Sequence, residues 1–195
     1  MLRYSIIIFG FILSSCAYNN VTYFSPESKP EINIVSGSRG PKEIVQVQLN
    51  EKIKISQIIF NEPGNGFIRY YFSLPKGDTL QFIEPTITII ESNKKKKQLV
   101  EINNIQANYI VNGIGSLKKL KPIQKLIGES YLITTPYGNK ELVSRNFEAD
   151  IKLNHPLPNQ FELHTPSVNL SGLIVNIPSV KYTKKSGTFY QARPW

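Results

Sequence analysis

Apolar and polar residues alternate with a period of two along most of residues 31–190. In Val45–Leu49 and again in Phe147–Asn154, every second residue is apolar and the residues between are polar. Successive side chains of a β-strand point to opposite faces, so this pattern is typical of strands with one face on a core and one in water. Turn sequences such as Asn61–Gly66 and Pro75–Asp78 separate about a dozen such segments, at intervals of roughly 8–12 residues.

This pattern predicts an all-β fold, an antiparallel β-sandwich of the immunoglobulin-like type, because no long helix is available for parallel crossovers. We expect one short helix near residues 116–128, where Leu117, Leu120 and Ile127 fall near one helical face. The predicted sandwich domain covers residues 31–195. An alternative divides it into two small β units near residues 112–128.

Residues 1–15 have the three parts of an export signal: the basic Arg3, an apolar segment from Ile6 to Leu13, and the small residues Ser14 and Ser15. The apolar segment is much shorter than the ~20 residues that a membrane-spanning helix requires. An export signal is therefore favoured over a transmembrane anchor.

The sequence Leu13-Ser14-Ser15-Cys16 resembles the lipobox of bacterial lipoproteins. The resemblance implies a signal peptide cleaved between Ser15 and Cys16, and fatty acylation of Cys16, with palmitate as a typical acyl group. It also implies an outer-membrane lipoprotein facing the periplasm, because Ala17 rather than aspartate follows the cysteine. The cell surface is the alternative location, and an ordinary cleaved secretory signal is the alternative to the lipobox.

Residues 16–30 are predicted to be the lipidated cysteine and a flexible tether, because asparagine, serine and proline interrupt them and no helical periodicity is present. Cys16 is the only cysteine of the 195 residues. An acylated Cys16 leaves no thiol for a disulfide, so packing alone would stabilise the domain.

The chain carries a formal net charge of +9, with 23 lysines and arginines against 14 acidic residues. A basic envelope protein attracts anionic lipids and acidic partners. The candidate residues for binding an anionic surface are Lys94, Lys95, Lys96, Lys97, Lys118, Lys119, Lys121 and Lys125. The alternative for Lys94–Lys97 is a solvated hairpin tip without a binding role. The alternative for the high net charge is a composition that reflects an AT-rich genome.

Residue patterns typical of catalysis or metal binding are absent from the sequence. Gly113–Ser116 has the wrong order for a nucleophile elbow, and His155 and His164 are expected to be surface residues. The histidines have no cysteine or glutamate at zinc-ligand spacing. Glu148 and Asp150 share one strand face roughly 7 Å apart, as in a glycosidase pair, but a solvated polar stripe is favoured.

We therefore predict a non-catalytic protein without a cofactor or a metal, held to the membrane by lipid. Its expected partner is another envelope protein or an anionic envelope component, not nucleic acid, and the oligomeric state is left open. An immunity lipoprotein that neutralises a toxin is one alternative. A cell-envelope hydrolase is an alternative from a different class.

Overall fold

A computed structural model describes residues 18–190, except residues 37–42, 63, 103, 112–113, 122–123, 136 and 143. The described residues form strands and no helix. The strands are β1 (Tyr18–Pro26), β2 (Ile32–Ser36), β3 (Glu43–Gln48), β4 (Lys54–Glu62), β5 (Asn65–Pro75), β6 (Thr79–Phe82), β7 (Thr86–Glu91), β8 (Lys97–Glu101), β9 (Asn104–Val111), β10 (Ile114–Leu120), β11 (Leu126–Ile127), β12 (Tyr131–Thr135), β13 (Gly138–Leu142), β14 (Ser144–Lys152), β15 (Gln160–His164), β16 (Val168–Leu170), β17 (Leu173–Val175) and β18 (Val180–Tyr190).

The largest layer is a seven-stranded antiparallel sheet with the order β10-β9-β14-β5-β4-β3-β2. Its inner face buries alternate residues, as in β14, where Phe147, Ala149 and Ile151 are buried between partly exposed neighbours. The predicted all-β sandwich with period-two strands is therefore confirmed.

The expected helix near residues 116–128 is wrong, because Ile114–Leu120 is strand β10. β10 pairs along its whole length with β9, and Ile114 lies opposite Val111. The sequence between these strands is Asn112-Gly113, which is typical of a two-residue hairpin loop. Pairing with β9 satisfies the backbone N–H and C=O groups of residues 114–120. A helix in this segment would be short, because proline at position 122 interrupts it.

The alternative of two β units divided near residues 112–128 is also wrong. The seven-stranded sheet places β9 and β14 side by side, so strands from before and after this segment belong to one sheet. One contiguous core contains Val45, Phe72, Phe147 and Tyr182 together.

A second layer contains a five-stranded antiparallel sheet with the order β1-β18-β15-β7-β8. β1 pairs with β18 over its full length, from Tyr18 opposite Tyr190 to Pro26 opposite Tyr182. Phe24 is 2% exposed and packs edge-on against Phe161, with ring centroids 5.3 Å apart.

The predicted flexible tether over residues 16–30 is therefore wrong for residues 18–26. Asparagine, serine and proline suggested an irregular segment, but Val21, Tyr23 and Phe24 favour a strand, and an edge strand tolerates proline. The folded domain begins at or before Tyr18 rather than at residue 31. Residues 1–17, with the predicted signal peptide and Cys16, lie outside the described residues.

A four-stranded sheet with the order β11-β6-β16-β17 continues the second layer. β6 leads into β7 through three residues, and β15 leads into β16 in the same way. Since β6 pairs with β16 and β7 pairs with β15, the four-stranded sheet extends one end of the five-stranded sheet. β12 and β13 form a separate hairpin.

The two layers are joined by a buried polar bridge across the core. Gln57 of β4 donates through Nε2 to the hydroxyl of Tyr182 on β18, at 2.8 Å. The hydroxyls of Tyr70 and Thr165 are 2.8 Å apart, and Thr165 also donates to Gln57 Oε1 at 3.4 Å. Burial raises the pKa of both tyrosines, so the phenols stay protonated. Mutual pairing offsets the cost of burying these four groups.

We predict that Tyr182→Phe destabilises the protein by about 1–3 kcal/mol, because the buried Gln57 amide loses its acceptor. Gln57→Leu combined with Tyr182→Phe should cost less than the sum of the two single changes, since the double variant leaves no orphaned amide there. Urea denaturation of all four proteins measures this coupling. Strictly additive losses would show that the bridge contributes no coupling.

Candidate functional site

Lys94–Lys97 lie at the tip of the β7–β8 hairpin, and all four are exposed. The amide of Glu91 donates to the carbonyl oxygen of Lys96 at 3.0 Å, which closes the turn. Lys95 has a φ of 49°, in the left-handed region that non-glycine residues rarely adopt. Lys94 Nζ is 3.3 Å from Glu91 Oε1, an exposed ion pair that contributes little stability. The sequence placed this loop correctly at a hairpin tip.

The other predicted lysines belong to other segments of the fold. Lys118 and Lys119 belong to β10, and their side chains lie outside the described residues. Lys121 and Lys125 are exposed, and Lys125 borders a depression beside Thr79, at the start of β6. Lys94 lies three residues after Glu91, the last residue of β7, whereas Lys125 lies beside the first residue of β6, so the lengths of β6 and β7 separate these two lysines. Lys121 and Lys125 therefore do not form one surface with Lys94–Lys97.

His155 is held by its neighbours in a single arrangement. Its Nε2 is 2.6 Å from Gln98 Nε2 and its Nδ1 is 3.0 Å from the carbonyl oxygen of Pro156. The carbonyl can only accept and the amide nitrogen can only donate, so Nδ1 carries the proton and Nε2 accepts. Among the contacts described for His155, none involves a serine hydroxyl.

His164 belongs to a polar group on the outer face of β15. Its Nε2 is 3.4 Å from Glu162 Oε1, and Ser179 donates to the same carboxylate oxygen at 2.5 Å. Lys29 donates to the carbonyl oxygen of Ser179 at 2.6 Å. In a catalytic triad the histidine lies between the serine and the carboxylate, whereas here the carboxylate lies between them. Ser179 is thus not activated by His164.

The Ser179 hydroxyl, with contributions from His164, Lys29 and Lys181, holds the pKa of Glu162 below its ordinary value despite partial burial. A carboxylate whose pKa is lowered by folding stabilises the protein above its unfolded pKa, near 4.3, and loses that contribution as the pH falls.

We predict that Ser179→Ala lowers the free energy of unfolding at pH 7 and that the difference from wild type shrinks as the pH falls below about 4. Denaturant titrations between neutral and acidic pH measure it. Ser167→Ala, a change to another serine outside this group, serves as the control. A difference that is constant with pH would contradict the role of Ser179 in holding the Glu162 carboxylate.

Glu148 and Asp150 lie on the outer face of β14, as the alternation predicted. Arg69 of β5 binds both, at 2.7 Å from Glu148 Oε1 and 2.7 Å from Asp150 Oδ1. The guanidinium also lies 5.3 Å from the ring centroid of Phe67. An ion-paired carboxylate is a poor general acid or nucleophile, so the arrangement favours a structural surface cluster.

The structure reveals a surface that the sequence analysis did not identify. Large apolar side chains are exposed on the four-stranded sheet and at its rim: Ile83 at 47%, Ile127 at 49%, Leu173 at 67% and Ile174 at 62%. We call Ile127 and Ile174, which strand pairing places on one side of the sheet, together with Ile83 and Leu173 at its rim, the exposed apolar face. Leu80, Phe82, Leu126 and Leu170 of the same sheet are buried, so both faces of the sheet carry large apolar residues.

Strand register explains the composition of the exposed apolar face. Ile127 lies opposite Thr79 of β6, and Ile174 lies opposite Asn169 of β16, which in turn pairs with Gln81. The polar residues border an open depression of about 110 Å³. Ile127 and Ile174 therefore lie on the same side of the sheet as these polar residues. Leu173 lies opposite the buried Leu170 and projects from the other side of β17, at the edge of the sheet. The outer side of the sheet thus combines apolar and polar side chains, as is common at interfaces that form and separate in water.

The β16–β17 turn holds Leu173 and Ile174 in the edge strand β17. Ser171 and Gly172 form the loop, with φ angles of 51° and 96°, typical of the two-residue turns that match strand twist. The amide of Gly172 donates to Asn169 Oδ1 at 2.9 Å. The short loop holds β17 at the edge of the sheet.

In the described part of the chain, no group of three or more histidine, cysteine, aspartate or glutamate residues is arranged to hold a metal ion. The described residues also include no helix with the length and hydropathy needed to cross a bilayer. No protein-family model matches the chain, and no curated protein is similar to it in sequence.

Proposed function

We propose that this chain is a non-catalytic bacterial lipoprotein whose β-sandwich binds another envelope protein through the exposed apolar face. The observation that carries the proposal is the exposure of Ile127 and Ile174 on one side of a small sheet, with Ile83 and Leu173 exposed at its rim. Apolar side chains that remain exposed as a group, rather than singly, are typical of interaction sites.

The energetics favour a protein partner for this face. Burying a large aliphatic side chain contributes about 1.5–3 kcal/mol, so covering several of them gives a substantial part of a binding free energy. Thr79, Gln81 and Asn169 supply hydrogen-bonding groups at the centre, which favours a partner of mixed polarity. Lys125 beside them favours an acidic residue on the partner.

Attachment to the membrane is supported by Leu13-Ser14-Ser15-Cys16. Removal of residues 1–15 would make Cys16 the new N-terminus, and its acyl chains would enter the outer-membrane leaflet that faces the periplasm. Several acyl chains on one protein give stable anchoring, because each buried methylene contributes about 0.8 kcal/mol. Anchoring keeps the exposed apolar face close to partners within the envelope.

We predict that Cys16→Ser abolishes metabolic labelling with palmitate and leaves the signal peptide uncleaved at this site. Ser15→Ala is the matched control, because it keeps a small residue before the cysteine and should label normally. Labelling followed by fractionation of the membranes measures both. A Cys16→Ser variant that still incorporates palmitate would contradict the lipobox interpretation.

We predict that a photoreactive amino acid at position 174 forms a discrete adduct with another envelope protein in intact cells. The same amino acid at position 99 is the control, since Leu99 is 63% exposed and Ile174 is 62% exposed. Adding Ile127→Asp should abolish the adduct from position 174, because it places a charge on the same face.

Ile127 is half-exposed, so Ile127→Asp should change stability by no more than about 0.5 kcal/mol, which a thermal melt verifies. Equal adducts from positions 174 and 99 would contradict binding at the exposed apolar face. An adduct that contains only two copies of this chain would also contradict the proposal, because it would indicate self-association.

A further inference from the structure

Strand directions decide which residues meet at each end of the five-stranded sheet. β1 begins and β18 finishes at the same end, where Tyr18 lies opposite Tyr190. Glu91, the last residue of β7, pairs with Phe161, which pairs with Tyr182. Ile89, two residues earlier in β7, is level with Val180, the first residue of β18, so β7 and β18 run in the same direction. The turn between β7 and β8 therefore points toward the end where β1 begins.

Backbone hydrogen bonds confirm this alignment. The amide of Ser92 donates to the carbonyl oxygen of Gln160 at 3.1 Å, and the amide of Lys184 donates to that of Asn159 at 2.7 Å. The β7–β8 turn and the middle of β18 therefore flank the same residues at the start of β15. The four-stranded sheet, with the exposed apolar face, continues the opposite end.

This end of the five-stranded sheet is basic. It carries Lys94–Lys97 at the hairpin tip, and Lys184 and Lys185 on β18. We call these six residues the basic end. Glu91 is the acidic residue beside the tip, and Lys94 already pairs with it. The tip therefore retains an excess of positive charge.

The strand β1 leaves little room between the basic end and Cys16. Ala17 alone separates Cys16 from Tyr18, where β1 is already paired with β18. Two residues span at most about 7 Å. An acylated Cys16 would thus hold this end of the sheet within a short distance of the leaflet, since no flexible tether intervenes.

We propose, on the basis of the lipid anchor inferred above, that the basic end lies against the membrane and that Lys94–Lys97 bind anionic phospholipid headgroups of the leaflet that holds the anchor. The exposed apolar face then points away from that leaflet. Lys121 and Lys125 lie at the opposite end and take no part in this contact.

The geometry requires the sheet to lean. Phe24, opposite Lys184, lies six residues after Tyr18, so the start of β1 extends roughly 20 Å beyond that level. The β7–β8 hairpin is three to four strands away from β1, which corresponds to roughly 17 Å. A sheet that leans toward β8 brings both the anchored start of β1 and the hairpin tip to the headgroups. Contact within about 10 Å is needed, because salt screens charges beyond that distance.

The test uses the full-length protein extracted from membranes and reconstituted in vesicles of phosphatidylcholine with phosphatidylglycerol. An acylated Cys16 has no free thiol, so a fluorophore attaches only to an introduced cysteine. Asn93→Cys labels the hairpin tip and Leu173→Cys labels the exposed apolar face. A lipid with a nitroxide on its headgroup quenches fluorophores that lie at the leaflet.

We expect the fluorophore at position 93 to be quenched several-fold more than the one at position 173. The quenching at position 93 should fall when phosphatidylglycerol is omitted or when salt is raised. Lys94→Ser with Lys96→Ser should lower the equilibrium constant for headgroup contact by roughly 30-fold, since each lysine near an anionic leaflet contributes about fivefold. Lys121→Ser with Lys125→Ser removes the same charge from the opposite end and should change nothing.

Equal quenching at positions 93 and 173 would overturn the proposed orientation, and so would equal effects of the two pairs of lysine substitutions. In both cases the protein would still float with the vesicles, which shows that the lipid anchor is intact. Failure of the lipid anchor gives a different result. In that case the unmodified protein reacts with one equivalent of thiol reagent after denaturation, and it does not float with vesicles of phosphatidylcholine alone.

Discussion

The pairing of β1 with β18 is the interaction on which the arrangement of the molecule depends. These strands come from the two ends of the described chain and pair over the full length of β1, from Tyr18 to Pro26. Phe24 and Tyr182 from this pair enter the core against Phe161. Tyr182 also forms the hydrogen bond to Gln57 that links the two layers. Loss of this pairing would expose an edge of β18 and open the core at once.

The second layer of the sandwich has two ends with different chemistry. One end carries the lysines of the β7–β8 hairpin and the first residue of β1, and the other carries the exposed apolar face. The two ends belong to one long antiparallel layer. The consecutive strands β6 and β7, and likewise β15 and β16, run from one end of this layer to the other. The two surfaces lie at opposite ends of this layer, so a contact at one leaves the other accessible.

Polar groups that resemble catalytic residues in the sequence are engaged in pairs that hold strands together. Arg69 joins β5 to the carboxylates of β14, and Glu162 accepts from Ser179 beside His164. For Glu148 and Asp150 the spacing along the strand resembled that of a glycosidase pair, but Arg69 of the neighbouring strand binds both carboxylates. The protonation and reactivity of a side chain depend on such neighbours, which no single strand contains.

The sequence by itself determined the class of fold, because alternation in Val45–Leu49 and Phe147–Asn154 can be buried efficiently only in half-exposed strands. It also determined the position of Lys94–Lys97, since four adjacent lysines between two strands belong at a solvated tip. Tertiary structure decided what local pattern could not. Residues 18–26 became a strand because β18 offered a paired edge, and residues 114–120 became a strand because β9 lay beside them. The exposed apolar face depends on register between β6, β11, β16 and β17, which come from distant parts of the chain. Pairing over such distances depends on the whole fold, so neither the face nor its separation from the lysines is encoded in any one segment.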